Sequence, residues 1–177
     1  MAERLYEEFR ELSNHPDNNC GITVGLVNGS NFDWTITLTA PIDTVYKGGL
    51  FILRAHFPPD YPIGKPEVYF ITPIYHLNVK PTAPKTEGEE SLGHVCISTL
   101  IWWNPQYKMK EVLLNIYSLF YMHNPDCAYG TDRAQEYNDK DGIVTYFAKA
   151  KYFTEKYAKP RNNYNNYDRS QDWDFNL

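Results

Sequence analysis

No run of lysine or arginine occurs anywhere in the 177-residue chain, and the formal net charge is −5. Phosphate contact needs a clustered basic surface, so generic nucleic-acid binding is not expected. Long apolar runs are also missing. The opening MAERLYEEFREL is charged and amphipathic, without an apolar signal core, and no later stretch is long enough to span a bilayer. The expectation is a chain with no membrane partner, placed in the cytoplasm, the nucleus or both. Cysteine is sparse. Cys20, Cys96 and Cys127 are an odd set of three, which provides neither a disulfide framework nor paired metal ligands. Free thiols and no metal site are therefore expected. There is no internal repeat.

What is present suits one globular domain. Apolar residues make up 42% and charged residues 22%, and this length can bury a core without staples. Fifteen Tyr and nine Phe are a rich aromatic supply, suited to partner surfaces as well as to a core. Leu5, Phe9 and Leu12 recur at helical spacing, which predicts an amphipathic helix over residues 2–13, ending before Pro16. Four strands are expected next: around Ile22, Val24 and Leu26; around Trp34, Ile36 and Leu38, alternating with threonines; over 50–57; and over 67–71. Asn28-Gly29 marks a turn, and short separations favour an antiparallel meander.

Residues 58–66, PPDYPIGKP, hold four prolines and cannot be helix or central strand. The stretch 73–95 lacks periodicity, and PTAPKTEGEESLG within it reads as exposed loop. A helix is expected over 108–122, carrying Val112, Leu113, Ile116, Leu119 and Phe120 on one stripe and stopped by His123-Asn124-Pro125. Further helices are expected over 131–138 and 140–157. The fold class is α+β: an N-terminal helix, a four-stranded antiparallel meander, a long irregular loop, then C-terminal helices. The domain is drawn over 1–159, and the Asn- and Tyr-rich segment 160–177 is expected to be a mobile tail.

Three side chains can carry chemistry. Cys96, in GHVCISTL, ends the irregular stretch, where a thiol can be offered to an acyl donor. The competing reading is a small buried hydrophobe. Asn78 can donate an amide N–H to an oxyanion, a contact worth about 2.7–4 kcal/mol in acyl transfer, or can tie up loop carbonyls instead. His76 can act as a general base for Cys96 or as a structural imidazole satisfied by backbone, the second being favoured.

Four motifs in fixed order then stand out: Phe57-Pro58-Pro59-Asp60-Tyr61-Pro62 with Pro66-Glu67-Val68-Tyr69-Phe70; Tyr75-His76-Leu77-Asn78; Gly93-His94-Val95-Cys96-Ile97-Ser98 with Trp103-Asn104-Pro105; and Asn124-Pro125-Asp126. With the helices between them, they resemble the catalytic domain of the ubiquitin-conjugating enzyme family over about residues 3–158. That resemblance implies that Cys96 takes ubiquitin or a ubiquitin-like modifier from an activating enzyme as a thioester. It implies passage to a substrate lysine or a ligase cysteine, supported by Asn78 and His76. Ser98, Asp126 and Cys127 would surround the incoming lysine. Ile63, Pro105 and Gln106 would meet a ligase, and Arg4 and Arg10 the activating enzyme. No cofactor would be bound, ATP being used upstream, and the protein would work as a monomer.

The chain departs from that pattern in four places. Leu77 stands where relatives carry proline, which predicts a loop with one φ restraint fewer. Cys127 stands where many carry aspartate; a neutral thiol would assist lysine deprotonation less and favour handing the modifier to a ligase cysteine. The segment 79–94 is longer than usual and, with Lys85, Glu87, Glu89 and Glu90, is either a flap over the thioester or a solvated insertion. The first helix carries Glu3, Glu7, Glu8 and Glu11 and is expected to be a solvated charged face. Two other activities compete: a catalytically inactive relative that only docks ubiquitin or a ligase, and a cysteine hydrolase using Cys96 and His76.

Overall fold

A computed structural model describes residues 2–14, 21–81 and 93–159. The tail beyond residue 159, most of the expected flap with its four charged residues, and Cys20 lie outside the described residues.

Helix α1 (Ala2–Asn14) leads into an antiparallel sheet of strands β1 (Ile22–Val27), β2 (Ser30–Thr39), β3 (Leu50–His56) and β4 (Glu67–Phe70), in chain order. A fifth strand, β5 (Gly93–His94), pairs with β4 through Tyr69 and Phe70. The expected meander is therefore present with one strand added at its edge. Two residues are too short to show alternation, so β5 exists only through its partner. Asn28-Gly29 makes the tight turn, with both residues at positive φ (50° and 75°) and Val27 opposite Ser30.

Alternation in β2 does what its pattern demands. Trp34, Ile36 and Leu38 are wholly buried, while the intervening threonines face outward to varying degrees. They join Phe51, Leu53 and Ala55 of β3 and Val68 and Phe70 of β4 in one core. Leu5 and Leu12 of α1 enter the same core, and Phe9 packs edge-on against Trp34 at 5.4 Å.

After β5 the chain passes Cys96 and makes a single turn of helix, α2 (Ser98–Ile101), which the sequence is too short there to announce. Helix α3 (Met109–Ser118) buries Met109, Val112, Leu113 and Ile116, and Leu119 and Phe120 continue the stripe as turns beyond it. A 3-10 turn (Pro125–Cys127) precedes α4 (Thr131–Asn138) and α5 (Gly142–Tyr157), close to the expected bounds. Among the described residues no helix is long and apolar enough to cross a membrane.

One expectation about α1 fails. Glu8 is not on a solvated face but is 5% exposed. Its carboxylate accepts from Arg4 Nε (2.7 Å), from the Tyr61 hydroxyl (3.0 Å) and from the Met109 backbone N–H (2.7 Å). The anion thus caps the positive end of α3 and pins the proline-rich segment to α1. A buried carboxylate needs such partners, and here they come from three parts of the chain.

Candidate active site around Cys96

The site is built around a short loop that runs from His76 to Val79. Its fixing points come from both later helices. Arg133 of α4 donates to the carbonyls of His76 (3.0 Å) and Val79 (3.2 Å), and its guanidinium lies 4.4 Å from the Tyr75 ring centroid. Tyr146 of α5 is fully buried, and its hydroxyl accepts the Leu77 N–H at 2.9 Å. Burial raises that phenol to about 12, so it stays neutral. The Leu77 carbonyl in turn accepts the Tyr129 N–H at 2.7 Å. Leu77 thus carries a backbone hydrogen bond at the position where the sequence predicted one φ restraint fewer. Proline has no N–H, whereas the N–H that Leu77 adds is spent on a fixed partner.

His76 is buried with both ring nitrogens committed. Nε2 faces the Leu119 carbonyl at 2.9 Å, so it must carry the proton; Nδ1 accepts the Asn78 N–H at 3.0 Å, so it must be bare. Desolvation, with His123 stacked at 4.3 Å as a second cause, lowers its pKa to about 3. A ring so held has no free lone pair for a proton from Cys96. His123 is itself lowered to about 4 by burial and lies within 3.3 Å of the Tyr46 hydroxyl, which donates to the Tyr75 carbonyl.

Asn78 is 0% exposed, and its side chain is fully used. Nδ2 donates to the carbonyls of Asn124 (2.7 Å) and Cys127 (3.0 Å), while Oδ1 accepts the Asn124 N–H (2.9 Å). Its backbone carbonyl takes the Cys96 N–H at 2.8 Å. Of the two readings left open for this amide, the geometry has the one that ties loop carbonyls. Both amide hydrogens are occupied, and none is left for an oxyanion in this arrangement.

Cys96 and Cys127, both half-buried, are joined by a disulfide, with Cα atoms 6.0 Å apart. This corrects the expectation of free thiols and, with it, the picture of Cys127 as a neutral thiol beside the lysine. The cause is tertiary. Asn78 holds the two segments side by side, and 31 residues of sequence separation conceal the approach. Ser98 and Asp126, two residues and one residue away, are exposed beside the pair.

The expected docking residues fall elsewhere. Ile63 is 75% exposed, and Pro105 and Gln106 are exposed on the turn after Trp103. Trp103 Nε1 donates to the Pro62 carbonyl at 2.8 Å, which ties the two segments into one corner. On α1, Arg4 is engaged by Glu8 and also donates to the Tyr107 carbonyl at 2.8 Å. Arg10 lies 5.9 Å from the Tyr6 ring centroid. Reading the sequence missed Arg133 and Tyr146 and put Glu8 on a solvated face; the Asn124-Pro125-Asp126 turn signal was the one pointer to the segment that Asn78 clasps.

A family model described as ubiquitin-conjugating enzyme matches residues 4–154. The chain belongs to the ubiquitin-conjugating enzyme family. The E2 domain of a Toxoplasma gondii ubiquitin conjugating enzyme shares 26% identity at a TM-score of 0.74, over 90% of this chain and all of that one. A Plasmodium yoelii protein assigned as a ubiquitin conjugating enzyme has the same fold, with a TM-score of 0.75 at 24% identity, over 90% of this chain and 96% of the other. Helix, antiparallel sheet and trailing helices are the E2 architecture of these relatives.

Proposed function

We propose that this E2 family member accepts ubiquitin or a ubiquitin-like modifier on Cys96 and passes it to a lysine or to a ligase cysteine. The observation that carries the reading is the setting of Cys96. The residue is half-exposed on irregular chain, with its N–H bound to the Asn78 carbonyl on a loop that α4 and α5 both fix. In the reduced protein the Cys96 sulfur attacks the carbonyl carbon of the modifier's thioester with the activating enzyme. The activating enzyme's thiolate leaves, one thioester replaces another, and no bound cofactor is needed; ATP is consumed upstream.

In the second step a lysine amine attacks that carbonyl, an amide forms, the amine proton departs and Cys96 leaves as thiolate. Ser98 and Asp126 border the approach, and Cys127 lies on the same side. Asn78 contributes by holding the 124–127 turn against the Cys96 segment, and His76 contributes by shaping the loop. Ile63, Pro105 and Gln106 form the ligase-facing corner, and the α1 face with Arg4 and Arg10 receives the activating enzyme. The protein acts as a monomer on substrate proteins in a reducing compartment, cytoplasmic or nuclear.

The test is a charging assay. Reduced chain, freed of reductant, is mixed with an activating enzyme, Mg-ATP and each of a panel of modifiers. A thiol-sensitive adduct is expected with at least one modifier, and none with Cys96→Ala. One specific observation favours a second reading, a non-catalytic docking relative: the Cys96 sulfur is covered by Cys127. That reading gains if no modifier charges the reduced chain while ligase or ubiquitin binding survives in Cys96→Ala.

A further inference from the structure

The nucleophile proposed above shares its sulfur with a second use. The Cα separation of 6.0 Å between Cys96 and Cys127 lies inside the window of roughly 4.4–6.8 Å that a disulfide requires. Contacts other than the bond maintain that separation. Asn78 receives the Cys96 N–H on its carbonyl, donates to the Cys127 carbonyl, and clasps Asn124 by both N–H and C=O. The Cys127 N–H donates to the Asn124 carbonyl at 3.2 Å, which closes the turn. Two thiols released by reduction therefore stay poised to pair again. Both residues are half-buried, so small oxidants and thiol reductants can reach them, unlike a disulfide sealed in a core.

We propose that Cys96 and Cys127 form a peroxide-reactive dithiol in which Cys127 resolves the oxidised nucleophile. The role of the pair as a switch rests on Cys96 being the acyl acceptor; the oxidation chemistry itself does not. The Cys96 thiolate attacks one oxygen of hydrogen peroxide, the O–O bond breaks, and the departing hydroxide takes a proton to become water. Cys96 is left as a sulfenic acid. The Cys127 sulfur then attacks the Cys96 sulfur, the S–O bond breaks, and a second water leaves. The two sulfurs have together given two electrons to the peroxide. A thiol reductant reverses the bond by being oxidised itself.

Two consequences follow for function. A disulfide at Cys96 and an acyl thioester at Cys96 exclude each other, so oxidation closes the carrier and a loaded carrier resists oxidation. Without Cys127, the sulfenic acid is open to a second peroxide and becomes a sulfinic acid that thiols do not reduce.

The test uses the full chain, reduced, freed of reductant, and treated with graded hydrogen peroxide. Wild type is expected to lose two hydrogens by intact mass, with the peptides holding Cys96 and Cys127 linked. Dithiothreitol should then return charging to within about 1.5-fold of the untreated level. Cys127→Ser, scored against its own untreated reference, should retain sulfinic acid on Cys96 and stay about fivefold or more below it after dithiothreitol. Absence of the 96–127 link at every dose, a link through Cys20 in its place, or equal recovery in Cys127→Ser overturns the proposal. If the reduced chain takes up no modifier, the carrier reading fails, while peptide mapping still decides the dithiol.

Discussion

The loop from His76 to Val79 and the corner around Ile63 and Pro105 both carry residues that the proposed function uses, yet they are built differently. In the loop nearly every polar group has a named partner: Leu77 N–H on Tyr146, His76 on Leu119 and Asn78, Asn78 on the 124–127 turn, and two carbonyls on Arg133. At the corner Trp103 donates to Pro62 and packs on the Tyr61 ring at 5.9 Å, and the other hydrogen bonds there are local to each segment. The apolar Ile63 and Trp102 face outward at 75% and 78% exposure. If Cys96 reacts as proposed, its surroundings must be held to a fraction of an ångström, and buried hydrogen bonds do that. A surface that exchanges partners needs exposed apolar area on a firm base, and internal bonding would not help it.

The contrast is most sharply broken at Asn78. Asn78→Ala removes three hydrogen bonds from a buried amide and leaves the Asn124 and Cys127 groups to find new partners. It should cost about 3 kcal/mol by denaturant titration. Transfer to lysine should slow more than charging, because the side chain holds the acceptor-side turn. Peroxide-driven pairing of Cys96 with Cys127 should slow with it. An unchanged stability with a transfer defect alone would return Asn78 to an oxyanion role.

Acid attacks the same loop by a different route. His76 has a folded pKa of about 3 against an ordinary 6.5, so it is stabilised neutral. Its contribution is complete above pH 6.5 and is lost progressively as pH falls toward 3. Stability should drop by about 2 kcal/mol from this ring between pH 7 and pH 5. His123, stacked on it and also lowered, adds in the same direction. His76→Gln should flatten this slope; a slope unchanged in that variant would mean that other groups carry it.

A smaller effect separates the two ways of bracing Leu77. Tyr146→Phe orphans a buried N–H and should cost about 1–2 kcal/mol. Leu77→Pro removes that N–H, so it should be less harmful in the Tyr146→Phe background than in wild type. Additive costs in this double-mutant cycle would show that the hydrogen bond does not substitute for the proline restraint. At the other region, Ile63→Ala should change stability by no more than about 0.5 kcal/mol while lowering ligase-dependent transfer. A large loss of stability there would erase the difference between the regions.

Much of the architecture was legible because it follows from periodicity. Alternation around Trp34, Ile36 and Leu38 announces a half-buried strand, and the 3.6-residue stripe from Val112 to Phe120 announces a helix. Short elements were not legible. The two-residue β5 and the one-turn α2 hold too few positions for a period to show. The site divides in the same way. Cys96, Asn78 and His76 were visible as residue types in ordered motifs, and the favoured structural imidazole at His76 and the carbonyl-tying option at Asn78 match the hydrogen bonds found; the partner of Cys96 was not legible. Glu8 looked like one more surface acid of α1 and is instead the buried joint between α1, Tyr61 and α3.

From its order of residues alone, this chain declared an α+β domain, the position of its candidate nucleophile and the family it resembles. Those properties depend on local spacing, which the chain carries with it. Only the folded molecule decided that Cys127 meets Cys96, that Tyr146 takes the Leu77 N–H, and that the Asn78 amide has no hydrogen to spare. Each of these depends on groups separated by 31 to 69 positions, and a linear pattern carries no distance between residues that far apart.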